Sequence, residues 1–166
     1  MDLRSIQQPL KQLYRDDPEA AVIILRAQAD STSSPTTCSI DMGRAVYEAE
    51  AHAGVGGSGG TPCSGDLLLG ALAACAQITC QMVATASGVP LERVSVSVVG
   101  ELDLRGTLGL DPDVTVGFKT IRLAFDIDAP GASEEQIERL KERTERYCVV
   151  LQTLMSRPEI SVSFDG

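Results

Sequence analysis

The stretch SGDLLLGALAACAQITCQMVATAS, residues 64–87, carries one acid, no lysine or arginine, and apolar side chains at nearly every helical phase. It reads as a single long helix with Cys75 near its middle. Ser64 is the expected N-cap, Asp66 sits in the first turn where the helix dipole favours an acid, and Gly88 with Pro90 closes the far end. A helix without a wide polar face needs cover from several sides, by a sheet, another helix or a second copy of the chain. Leu67 to Ala86 also approaches the length of a bilayer span. Gln77, Thr79 and Gln81 interrupt that run, and no Lys or Arg flanks it closely, so the expectation is a soluble core helix and no membrane.

The 166 residues suit one domain spanning 1–166, with a real core built from Val, Leu, Ile and Ala, since aromatics make up only 4% and tryptophan is absent. A net charge of −9 argues against nucleic acid or an anionic membrane as partner. The five cysteines are Cys38, Cys63, Cys75, Cys80 and Cys148, an odd number scattered along a chain whose N-terminus shows no apolar signal segment. A reducing cytoplasm is therefore expected rather than a secreted disulfide framework. With one histidine, His52, and no CxxC pair, neither a metal nor any other cofactor is expected.

Outward from the long helix, residues 1–19 form an extension with a short helix at Ile6–Tyr14, stopped by Asp16, Asp17 and Pro18. AAVIILRAQA (20–29) reads as a strand, STSSPTT (31–37) as a turn and Cys38–Ala49 as a second strand, making a hairpin over 20–50. GVGGSGG (54–60) lacks both GK[ST] and GxGxxG spacing, so it reads as a pliable loop rather than a phosphate cradle. Val94, Val96 and Val98 alternate with polar positions, as do Ile121, Leu123, Phe125 and Ile127, giving two further strands around a loop at 103–118. A capping box of Ser133 and Gln136 opens a second main helix, 133–155, whose apolar stripe is Ile137, Leu140, Tyr147, Cys148, Leu151 and Leu154. Ile160, Val162 and Phe164 read as a last strand. The order is that of an α+β fold, an antiparallel sheet packed on two main helices.

Cys75 and Cys148 thus fall on the two main helices. Packed helices have axes roughly 8–10 Å apart, and facing cysteines bridge when their Cα atoms come within about 7 Å. The two thiols can meet in that way, or each can be a small buried side chain and nothing more. Cys63, next to the start of the long helix, is a third candidate redox cysteine because a helix N-terminus favours a thiolate. Cys80 and Cys38 read as packing and strand residues.

DLLLGALAAC (66–75) and YCVVLQTL (147–154) resemble the first-cysteine and second-cysteine helices of the OsmC/Ohr family, and the likeness runs from about Ala20 to Phe164. The resemblance implies an interlocked cytoplasmic homodimer that reduces organic hydroperoxides at the subunit interface. It implies Cys75 as nucleophile, Cys148 as resolving thiol and an external dithiol as reductant. The family's acid ten positions before the first cysteine corresponds here to Gly65, with Asp66 beside it. Its thiolate-holding arginine corresponds to the region of His52, with Arg44 upstream and Arg105 in DLRGTLG (103–109) as further cations. Asp66 and His52 are therefore the supporting residues of the implied site, and Val149 follows Cys148 where the family has proline. Two other functions remain open: an OsmC-like scaffold without peroxidase activity that binds a small apolar ligand, and a purely structural dimer.

Overall fold

In the computed structural model, which describes residues 3–16, 28–31, 37–41 and 46–164, helix α1 (Leu3–Asp16) precedes three short strands. These are β1 (Gln28–Ser31), β2 (Thr37–Asp41) and β3 (Val46–Glu50). A 3-10 turn at Ala53–Val55 leads to helix α2 (Ser64–Ser87), strand β4 (Arg93–Glu101), the one-turn helix α3 (Leu104–Thr107) and strand β5 (Thr120–Asp128). Helices α4 (Glu134–Tyr147) and α5 (Val149–Met155) follow. The fold is α+β. By its internal packing the chain divides into two units, Met1–Gly70 with Val98–Arg122 and Ala71–Ser97 with Leu123–Gly166.

In the first unit β1, β2 and β3 form an antiparallel sheet, with Ser31 opposite Cys38 and Thr37 opposite Glu50. The expected single strand Cys38–Ala49 is thus two strands. Most of the expected strand at 20–29 and of the turn at 31–37, together with Arg44, lies outside the described residues. The glycine-rich segment is held rather than pliable. Glu50, 7% exposed, accepts hydrogen bonds from Ser58 N (3.1 Å), Ser58 Oγ (2.8 Å) and Thr61 N (2.9 Å). Those donors, Thr61 N–H foremost, outweigh desolvation and hold the Glu50 carboxyl at about 2, down from 4.5. Further along, the stretch expected to be loop contains α3, capped by Asp103, whose carboxylate also binds Arg105 (2.7 Å) and Lys119 (3.0 Å).

The opening turns of α2, through Gly70, belong to the first unit and the rest of the helix to the second. Leu67 N–H donates to the Cys63 carbonyl, so Cys63 rather than Ser64 is the N-cap, and Asp66 reaches back to Cys63 N–H at 2.9 Å. At the other end Gly88 takes φ +71°, Val89 N–H bonds the Ala84 carbonyl and Gly88 N–H the Thr85 carbonyl, a Schellman ending. Leu72, Ala76, Cys80 and Ala84, spaced four apart, form the fully buried stripe of this helix. Cys80, Val83 and Ala84 pack with Val89, Val94 and Leu140, and Val96, Phe125, Ile127 and Ile137 close around them. The strand alternation explains which residues reach this core: odd positions of β5 are partly buried and even ones exposed. Glu92 N–H bonds Asp128 O (2.9 Å) and Lys119 N–H bonds Glu101 O (2.8 Å), so β4 and β5 run antiparallel.

α2 is long and apolar enough to cross a membrane by length and composition, yet one stripe of it forms part of this core. Ile78 (55%) and Met82 (40%) remain exposed on other faces of the helix. The expected helix at 133–155 is broken at Cys148, whose ψ of 103° is extended. The expected strand at 160–164 is not formed, and Ile160, Val162 and Phe164 are 72, 73 and 94% exposed.

The Glu50 clamp makes a pH prediction. A carboxylate at about 2 in the folded chain and 4.5 unfolded stabilises the fold above pH 4.5, and that contribution fades as pH falls toward 2. Glu50→Gln is therefore expected to be less stable than wild type at pH 6, with the gap in denaturation midpoint closing between about 4.5 and 2. A gap that stays constant with pH contradicts the clamp.

Candidate active site

The break at Cys148 puts one residue at the junction of two helices. Its N–H caps α4 through the Thr144 carbonyl (3.0 Å) and its carbonyl accepts from Gln152 N (2.9 Å), opening α5. Gln152 Nε2 binds the Glu145 carbonyl at 2.9 Å, satisfying one of the acceptors that the interruption of α4 leaves over. Cys148 is fully buried and Cys75, on α2, is partly buried; both are free thiols. The Cys148 side chain and the backbone N–H groups of Val150 and Val149 lie near enough to the Cys75 sulfur to favour its charged form. Thr79, one helical turn beyond Cys75, brings its Oγ1 to 4.0 Å from the same atom.

These neighbours separate the two thiols chemically. Burial opposes ionisation of Cys75, but the Val150 N–H, the Cys148 thiol, the Thr79 hydroxyl and the Val149 N–H together hold it below the usual thiol range. Cys148 is pushed up, first by burial and then by its hydrogen bond and charge repulsion with Cys75, against the pull of the Leu151 N–H. The pair is thus unequal, Cys75 the readier to ionise and Cys148 the slower, the polarity a nucleophile and its resolving partner require. Among the described residues the groups that favour the Cys75 thiolate are hydrogen-bond donors, with no cation beside them. Of the further cations expected, Arg44 lies outside the described residues and Arg105 is engaged by Asp103 and Asp111 at 2.7 and 3.5 Å.

His52 and Asp66 stand in the first unit, with Cys63. All three line a cavity of about 260 Å³ whose walls are Leu69, Leu102, Leu104 and Phe118. Asp66 is held below the usual carboxylate range, mainly by the N–H and thiol of Cys63. His52 Nδ1 accepts the Gly54 N–H at 3.0 Å. Cys80 is fully buried in the second unit, where burial raises its pKa, and it serves the core. Cys38 lies in β2. Among the described residues no group of three or more His, Cys, Asp and Glu side chains is placed to hold a metal ion.

The family model for OsmC-like proteins matches residues 57–163, well over half the chain. The chain belongs to the OsmC-like family. Solved structures share its fold. An OsmC-like protein from Mycoplasma pneumoniae superposes with a TM-score of 0.66 at 20% identity, covering 81% of this chain and 89% of that one. An organic hydroperoxide resistance protein from Legionella pneumophila gives 0.60 at 20% identity, covering 82% and 92%. Another, from Elizabethkingia anophelis with thiocyanate bound, gives 0.58 at 15%, covering 82% and 91%. No curated protein matches the sequence itself.

Sequence reasoning named both thiols of this OsmC-like chain but missed Thr79 and the Val149 and Val150 amides. Thr79 had a signal, its four-residue spacing from Cys75; the amides became donors only because the helix breaks. Thr79→Val is expected to slow iodoacetamide alkylation of Cys75 severalfold at pH 7 and move its pH midpoint upward, read by peptide mass spectrometry. An unchanged midpoint contradicts a role for the hydroxyl.

Proposed function

We propose that this protein reduces organic hydroperoxides by a two-cysteine mechanism. The observation that carries the reading is that two free thiols meet, with Cys75 held below the usual thiol range and Cys148 pushed above it. The Cys75 thiolate attacks the terminal oxygen of ROOH. The O–O bond breaks, the alkoxide leaves as ROH after taking a proton, and Cys75 becomes a sulfenic acid. The Cys148 sulfur, giving up its proton, then displaces hydroxide as water and forms the Cys75–Cys148 disulfide. An external dithiol restores both thiols by two exchange steps. Two family neighbours that carry the name organic hydroperoxide resistance protein support the substrate class.

The whole chain acts in this reading as one OsmC-like domain in a reducing cytoplasm, paired as a homodimer. Exposed Ile78 and Met82 on α2, and the alternating Ile160, Val162 and Phe164, are apolar surface that a second copy would cover.

Purified wild type, given cumene hydroperoxide and a dithiol, is expected to consume the peroxide, and Cys75→Ser to lose all detectable turnover. Cys148→Ser should still react once and accumulate a sulfenic acid that dimedone traps at Cys75. Peroxide consumption undiminished in Cys75→Ser, or none by the wild type, overturns the proposal.

A further inference from the structure

A cavity in the first unit is lined by neither member of the thiol pair. Its apolar walls are Leu69, Leu102, Leu104 and Phe118, and the Phe118 wall is packed close against glycine backbone. A Cβ on Gly100 would stand 2.5 Å from the Phe118 ring, and one on Gly65 would meet Phe118 at 3.3 Å and Cys63 Sγ at 3.5 Å. Glycine at both positions lets the ring and the thiol come up to the backbone. A cavity of about 150 Å³ holds benzene; at about 260 Å³ this one has room for such a body and a short polar substituent.

The polar groups are few and of complementary kind. His52 Nδ1 is occupied as an acceptor by Gly54 N–H, which leaves the ring proton on Nε2 as a donor. Asp66 supplies a carboxylate, an acceptor only, whose lone pairs are not exhausted by the Cys63 N–H at 2.9 Å. One donor and one acceptor beside an apolar chamber suit a hydroxyl group, the smallest function that gives and takes a hydrogen bond at one atom. Both side chains are exposed at the solvent side of the chamber; a hydrocarbon would use neither, and a carboxylate would be repelled by Asp66.

We propose that this cavity binds a small apolar molecule ending in a hydroxyl group, its O–H donating to Asp66 and its oxygen accepting from His52 Nε2. The apolar body lies against Phe118, Leu102 and Leu104, and Cys63 stands at the polar end as a reporter of occupancy.

Benzyl alcohol and toluene, titrated into the full chain by calorimetry with neither peroxide nor reductant present, separate this site from the thiol chemistry. Benzyl alcohol is expected to bind at least about tenfold more tightly than toluene, the discrimination a satisfied polar pair produces. Asp66→Ala and His52→Ala should each bring it down to the toluene level. Because Asp66 also caps α2, wild type gives a second readout: saturating benzyl alcohol should slow iodoacetamide labelling of Cys63, and toluene at the same concentration should not. Equal binding of the two probes, no binding of either, or Cys63 labelling indifferent to benzyl alcohol overturns the proposal, whatever the outcome with peroxide.

Discussion

The chemistry of this chain rests on the hydrogen bonds that the Cys75 sulfur receives. A half-buried thiol in an apolar helix would ordinarily stay protonated and inert, because a low dielectric penalises the thiolate. The backbone turns that balance by stopping one helix and starting another at Cys148, so that two peptide N–H groups face sulfur instead of carbonyls in the helix. The remainder of the second unit fixes that junction in place. Leu140 and Thr144 are buried at the end of α4, Thr144 Oγ1 donates to the Leu140 carbonyl at 2.7 Å, and Arg143 reaches Ser87 Oγ on α2 at 3.0 Å.

A donor set of amides has a different character from a cation. An arginine carries its charge wherever it moves, whereas an N–H donor works only while the backbone holds its direction. Activation of Cys75 is therefore tied to the integrity of the α4–α5 junction. The same arrangement explains why Cys148 is the slower to ionise: it lies fully buried beside Cys75, whose charge would oppose its own.

Much of this was legible in the amino-acid order. Period-two alternation placed β4 and β5, the uncharged run placed α2, and the capping box of Ser133 and Gln136 placed the start of α4, both of its bonds being present. The likeness of 66–75 and 147–154 to a known family named the two cysteines. What stayed hidden depends on backbone direction rather than side-chain type. The helix stripe runs on through Tyr147, Leu151 and Leu154 as if uninterrupted, so nothing in its periodicity marks the break, and Tyr147 and Leu154 are in fact 56% and 40% exposed. Likewise the glycine-rich loop gave no sign of its clamp, because Glu50 lies eight residues before Ser58 and is brought to it only by the fold. Asp66 and His52 were read as neighbours of the thiolate from their positions in the chain. The fold gives them a chamber with Cys63, whose walls come from segments far away in sequence.

The central claim is that Cys75 ionises before Cys148. Thiolate absorbance in the ultraviolet, followed against pH in wild type, Cys75→Ser and Cys148→Ser, tests it most directly. The account predicts an early titration step below the usual thiol range that vanishes in Cys75→Ser and survives in Cys148→Ser. An early step that vanishes in Cys148→Ser instead, or that no variant removes, would contradict it.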